Sequence, residues 1–302
     1  MVIQSSQLFN FSRLKKWSLM KLPFFLAKRF VAGESFTESI PKAKQLNNKD
    51  LKLTLDLLGE NVKDRQMASD TVDSYIRLLE GIKEHGLISS ISIKLTMMGL
   101  DIDHDFCRKN LFKLLDVAKE QNQFVRIDME GSDNTQVTLD IFKEAFEKYG
   151  KHVGTVIQSM LFRSKDDINE LAEMGADIRL VKGAYKEPSK IALQDMPAIR
   201  EAFKEQAKVL LEKTSFPRFG THDDELIDWL KNYTSEKGIS KDSFEFQMLY
   251  GLREETMVEL TEEGYHARVY VPFGTDWFPY FTRRLMERKE NIWFIFSTMF
   301  KK

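Results

Sequence analysis

A single (β/α)8 barrel, with an N-terminal helical arm and a final helix over the barrel mouth, is the fold class this 302-residue sequence predicts. Three observations lead to it. From residue 50 onward a short apolar-rich run, a turn and an amphipathic stretch of helical length follow one another eight times, and strands that alternate with helices pair in parallel. Eight such units in about 240 residues match a closed barrel better than an open doubly wound sheet. The composition, 42% hydrophobic with 23 Phe, suffices for one large core, and no Ser/Gly-rich linker or repeat divides the chain.

The predicted strands span residues 51–57, 88–95, 124–129, 153–160, 177–182, 217–222, 244–249 and 267–272. Parallel strands covered on both faces ordinarily read as continuous apolar runs, but most of these alternate. The first sets Leu53, Leu55 and Leu57 against Thr54 and Asp56; the second sets Ile91, Ile93 and Leu95 against Ser92 and Lys94. The third opposes Val125, Ile127 and Met129 to Arg126 and Asp128, and the fifth opposes Ile178 and Leu180 to Arg179. In the seventh, Phe244, Phe246 and Met248 face away from Glu245 and Gln247; in the eighth, Val269 and Val271 face away from Arg268 and Tyr270. Helices expected at 70–83, 107–120, 135–149, 164–174, 199–213, 224–233, 253–263 and 277–289 cover the apolar faces, so the polar faces line the barrel interior.

Buried charges persist only when paired and hydrogen-bonded. Arg126, Arg218, Glu245 and Arg268, nearer the strand starts, are therefore expected to plug the barrel as cross-strand ion pairs. Lys94, Asp128, Gln158, Arg179, His222, Gln247 and Tyr270 lie toward the strand ends, the face on which barrel active sites are built, and read as a site.

The expected division is an arm at 1–48 and a barrel at 49–302. Residues 1–30 carry Arg13, Lys15, Lys16, Lys21, Lys28 and Arg29 and no acid, interleaved with Trp17, Phe24 and Phe25. That composition suits a membrane interface, and equally a helical arm packed over the barrel with its lysines in water. The apolar run 292–296, followed by Lys301 and Lys302, repeats the theme.

Composition excludes several classes. Lys and Arg total 45 against 46 Asp and Glu, a net charge of -1, which argues against a general nucleic-acid binder. The one cysteine, Cys107, can build neither an internal disulfide nor a Cys-based metal site, and points to a reducing compartment. The five histidines are scattered without a ligand pattern, so no metal is expected. No run approaches the ~18 apolar residues that span a bilayer, and no secretory signal pattern opens the chain; it reads as cytoplasmic.

The last long helix is the most informative segment. Tyr280, Arg283, Arg284 and Glu287 fall at i, i+3, i+4 and i+7 and share one face, beginning from the catalytic end of the barrel. Guanidinium forks bind a carboxylate bidentately, and Glu287 can hold an arginine in place. Taken alone, the same face reads as a solvated ion-pair stripe.

The segments RLVKGAY at 179–185, FEFQ at 244–247, RVYVPFGT at 268–275 and YFTRRLME at 280–287 resemble the signatures of the proline dehydrogenase family in its stand-alone bacterial form, over residues 50 to 290. The resemblance implies a distorted TIM barrel that binds FAD, oxidises L-proline to 1-pyrroline-5-carboxylate and passes electrons to a membrane quinone. The expected location is the cytoplasm, with peripheral contact at the inner face of the cell membrane. The resemblance assigns the substrate carboxylate to Lys94, Arg283 and Arg284 and the ring walls to Tyr270 and Tyr280. Arg179 corresponds to the arginine beside the flavin and Asp128 to the acidic active-site position, expected to orient Lys94 and the ring hydrogen bonds. Met129, Gln158, Lys182, Gly183, Ala184, Thr221 and His222 correspond to flavin contacts. Tyr270 is expected to crowd the position of a 4-hydroxyl, favouring proline over hydroxyproline. No GxGxxG follows any strand, so a Rossmann-type grip on the dinucleotide is not expected.

Two other classes stay open on sequence grounds. A barrel with lysines at strand ends can be a Schiff-base aldolase using Lys94 or Lys182. The basic aromatic arm can instead belong to a membrane-surface binding module.

Overall fold

The computed structural model describes residues 24, 27–59 and 61–287. Its strands are β1 (Lys52–Leu57), β2 (Ser89–Ile93), β3 (Val125–Ile127), β4 (Val153–Gln158), β5 (Asp177–Val181), β6 (Arg218–Gly220), β7 (Glu245–Leu249) and β8 (His266–Phe273). They close in that order into one barrel, every neighbouring pair parallel and β8 returning to β1. The helices are α1 (Phe36–Asn47), α2 (Arg65–Glu84), α3 (His104–Glu120), α4 (Thr135–Tyr149), α5 (Ser164–Glu173), α6 (Met196–Lys213), α7 (Asp224–Glu236), α8 (Glu254–Glu262) and α9 (Trp277–Glu287).

Three helices begin earlier than the sequence reading has them, and in each a cap explains the difference. α2 begins at Arg65 because the Asp64 side chain accepts from Met67 N at 2.9 Å. Asp103 and Asp195 do the same for α3 and α6 through Phe106 N and Ala198 N. Each such cap contributes about 1 kcal/mol, enough to start a helix in a polar first turn that hydrophobic periodicity passes over. Most strands are shorter than the apolar runs because the chain leaves the ladder early; directly after Lys94 it enters a one-turn 3-10 helix, Leu95–Met98.

The alternation holds. Leu53, Leu55, Ile91, Ile93, Val125 and Ile127 are fully buried against the surrounding helices, each contributing about 1.5–3 kcal/mol. Cys107 is packed on α3, where burial pushes its thiol up to about 12. The lower interior is the expected ion-pair plug. Arg268 Nε donates to Glu245 Oε1 at 2.7 Å, Arg218 Nη1 to the same oxygen at 3.1 Å, and Arg218 Nη2 to Asp177 Oδ2 at 2.7 Å. Arg126 completes the layer on Asp177, with a second bond to the Thr155 carbonyl at 2.8 Å.

α1 packs against β1 and β8. The segment before it is tied to the barrel mouth: Ala32 N donates to the Pro272 carbonyl and Gly274 N to the Gly33 carbonyl, both at 2.9 Å. Ala27, Phe30 and Val31 bury against Trp277, Tyr280 and Phe281 of α9. Arg13, Lys15, Lys16, Lys21 and the run 292–296 lie outside the described residues, as does the Glu287 side chain.

Candidate active site

The strand ends and α9 enclose a cavity of about 1160 Å³, larger than the roughly 300–1,000 Å³ of a typical small-ligand pocket. Every residue expected at the site lines it: Lys94, Asp128, Met129, Gln158, Arg179, Lys182, Gly183, Ala184, Thr221, His222, Tyr270, Tyr280, Arg283 and Arg284.

Its polar wall is a connected network. Arg179, reaching from β5, pairs with Asp128 at the end of β3, and its Nη2 also donates to Ser92 Oγ at 3.1 Å. Ser92 Oγ donates to Asp128 Oδ1 at 3.0 Å, and Tyr270 OH donates to Asp128 Oδ2 at 2.7 Å. The Arg179 guanidinium lies 5.4 Å from the Tyr270 ring centre. Burial, reinforced by the Asp128 charge, pushes the Tyr270 phenol well above its ordinary value, so it keeps its proton and donates.

One pairing differs from the sequence expectation. Lys94 Nζ donates to Asp56 Oδ1 at 2.9 Å, so Asp56 orients Lys94 while Asp128 holds Arg179 and Tyr270. Burial alone would depress the Lys94 ammonium, but the Asp56 and Asp128 carboxylates outweigh it and raise it above its ordinary value. An amine kept charged is a poor nucleophile, which counts against Schiff-base chemistry at Lys94.

The β5 and β6 ends form a second sector. Lys182 Nζ donates to Asp223 Oδ2 at 2.7 Å, and Arg200 Nε to the same oxygen at 2.9 Å. Gly183 has φ 119°, a backbone region closed to most side chains, and a Cβ there would meet Met160 Sδ at 2.5 Å; the bare backbone is required. His222 Nε2 accepts from Leu249 N at 2.9 Å, which keeps its ring proton on Nδ1, and Arg253 Nη1 donates to the His222 carbonyl at 2.9 Å.

α9 covers the mouth as expected. Tyr280 and Arg284 are buried and Arg283 half-buried, with the Arg284 guanidinium 5.3 Å from the Tyr280 ring centre. Sequence reasoning set Asp56 in the lumen without giving it a partner, and it missed Asp223, Arg200 and Arg253. Asp56 was findable as the last inward position of its strand; Arg200 and Arg253 come from a helix and a loop and carry no local signal.

The sequence signature of the proline dehydrogenase family matches residues 39–295. Proline dehydrogenase 2 of Bacillus subtilis (strain 168) is 43% identical over 276 residues, 91% of this chain and 91% of that protein. Proline dehydrogenase of Deinococcus radiodurans is 36% identical over 304 residues, 99% of this chain and 96% of that protein. Among solved structures, proline utilization A from Bdellovibrio bacteriovorus, inactivated by N-propargylglycine, superposes with a TM-score of 0.80 at 27% identity. That match covers 87% of this chain and 32% of the other, so this chain spans about a third of it.

Proposed function

This chain belongs to the proline dehydrogenase family, and from that membership we propose that it oxidises L-proline to 1-pyrroline-5-carboxylate by hydride transfer to bound FAD and delivers the electrons to a membrane quinone. The observation that carries the reading is the convergence in one cavity of a cation set suited to a carboxylate, Lys94, Arg283 and Arg284, with the Arg179–Asp128–Tyr270 cluster.

The residues present fit a flavin. Arg179 Nε and Gln247 Oε1 are buried polar atoms of cavity-lining residues with no hydrogen-bond partner among the described residues, and the bare backbone at Gly183 admits close approach of a ligand. Bound there, the flavin supplies the two-electron acceptor. The chain supplies binding and electrostatics. Lys94, Arg283 and Arg284 bind the carboxylate, and Tyr270 and Tyr280 wall the ring. Asp128 holds Arg179 and Tyr270 at fixed orientation, and Arg179 brings positive charge to the cofactor. Met129, Gln158, Lys182, Gly183, Ala184, Thr221 and His222 hold the cofactor itself.

The quinone rests on the family resemblance, and peripheral contact with the inner face of the cell membrane rests on the composition of residues 1–30, within the arm at 1–48 that precedes the catalytic barrel at 49–302. No described helix is long and apolar enough to cross a membrane. The test is the visible spectrum of the purified protein. A flavin band that bleaches on adding L-proline supports the reading; a protein that takes up no FAD contradicts it.

A further inference from the structure

A chain of hydrogen bonds, buried at its centre, runs around the cavity wall from the loop after β1 to the loop after β5. Asn61 N donates to Thr96 Oγ1 at 3.3 Å. Thr96 N and Thr96 Oγ1 donate to the Glu130 carboxylate at 3.2 and 2.6 Å. Gln158 Nε2 donates to the main-chain carbonyl of the same Glu130 at 2.9 Å, and Ala184 N donates to Gln158 Oε1 at 3.4 Å. Thr96, Glu130 and Gln158 are all at or below 5% exposure. Asn61, Gln158 and Ala184 line the cavity, whereas Thr96 and Glu130 stand behind it.

We propose that Glu130 is a positioning residue for both halves of the site: its carboxylate fixes the turn that follows Lys94, and its main-chain carbonyl fixes the orientation of the Gln158 amide. Thr96 sits in the one-turn helix Leu95–Met98, whose first residue follows Lys94, so the carboxylate anchors the loop on the substrate-carboxylate side. A side-chain amide offers a carbonyl oxygen on one end and an NH2 on the other. With Nε2 committed to Glu130 and Oε1 to Ala184, Gln158 meets a ligand in one orientation of two. By holding the Nε2 end while Ala184 N holds the other, Glu130 acts on a ligand it does not touch, as outer-shell partners orient ligating groups elsewhere.

This inference rests on the flavin reading, and the experiment separates the two. The purified protein and the variants Glu130→Gln, Thr96→Val, Thr96→Ser and Thr96→Val with Glu130→Gln are freed of bound flavin, titrated with FAD by fluorescence quenching and so reloaded. Their bound-flavin absorbance spectra are compared, and proline KM is measured. Thr96→Val removes the hydroxyl donor to Glu130 at nearly constant volume and leaves the main-chain one; Thr96→Ser keeps both. Loosening the carboxylate also frees the Glu130 main chain that holds Gln158, so the expected result is a roughly five- to tenfold weaker FAD affinity for Thr96→Val and Glu130→Gln, a shifted flavin band and a raised proline KM. Thr96→Ser should recover all three, and the double variant should lose no more than the worse single one because the two residues form one unit. Unchanged FAD affinity and spectrum in Thr96→Val, or losses that add in the double variant, overturn the assignment while leaving the flavin reading intact. A parent protein that binds no FAD overturns both. If Glu130→Gln fails to fold, the comparison of Thr96→Val with Thr96→Ser decides alone.

Discussion

Lys94 and Asp56 meet across adjacent strands with Nζ 2.9 Å from Oδ1, and both side chains are buried. Removing one partner of such a pair leaves the other charge desolvated, at a cost of about 3–5 kcal/mol. Asp56→Ala should therefore lower stability by several kcal/mol in denaturant melts and raise proline KM, although Asp56 is not assigned to the substrate. A variant with wild-type stability and KM would show that the pair contributes nothing.

Tyr270→Phe keeps the ring wall and removes the bond to Asp128 Oδ2. A hydrogen bond to a charged group contributes about 1.5–3 kcal/mol to stability, so the melting temperature should fall, and kcat/KM for proline should fall with it by roughly tenfold or more, because Asp128 then holds Arg179 less firmly. A fall confined to stability would assign the hydroxyl to folding alone.

For the carboxylate, Arg283→Met and Arg284→Met should each weaken proline binding by roughly ten- to over a hundredfold. Arg284→Lys should not restore it, because a buried guanidinium stacked on Tyr280 offers a planar fork that an ammonium lacks. Proline affinity is read from the concentration dependence of flavin bleaching, and full recovery in the lysine variant would refute the bidentate assignment.

Acid stability should trace to the lower layer. Burial alone would raise the Asp177 carboxyl, but Arg126 and Arg218 outweigh it and hold it at about 2; unfolded, it titrates near about 3.9. Between those values the unfolded chain binds more protons than the folded one, so stability is full above about pH 4 and is lost as the pH falls toward about 2. Asp177→Asn should lower stability at pH 7 and flatten this acid limb. Urea midpoints at pH 7, 4 and 3 measure it, and an unaltered slope would rule Asp177 out as the source.

Gly183→Ala forces a side chain into a left-handed backbone against Met160, which costs about 1–3 kcal/mol. Thermal shift in the presence and absence of FAD should show both a lower melting temperature and a smaller FAD-induced rise. A normal rise would mean that no cofactor approaches this backbone.

The barrel was legible because period-two alternation separates a helix-facing surface from a lumen, and the resulting list of inward charges contains both the plug and most of the site. Partners were less legible. Ile93 stands beside Ile127 in the ladder, which sets Lys94 and Asp128 side by side and suggests that they pair. In the closed barrel the ammonium instead crosses to Asp56 on β1, and Asp128 is taken by Arg179 from two strands away. Alternation fixes which way a side chain points but not which neighbour it reaches. Glu130 lies beyond the end of β3, where period two stops, and Arg200 sits on α6, whose periodicity reports Ile199 and Phe203 but not what the intervening polar residue touches.

None of Arg126, Asp177, Arg218, Glu245 or Arg268 lines the cavity, so the charged layer makes the barrel a cup with a solid base. Whatever enters or leaves crosses the rim formed by the strand-end loops and α9. Durability and throughput are thereby assigned to opposite poles of one barrel. The two poles meet at Gln247, which lines the cavity and whose Nε2 donates to Glu245 Oε1 of the base at 2.7 Å.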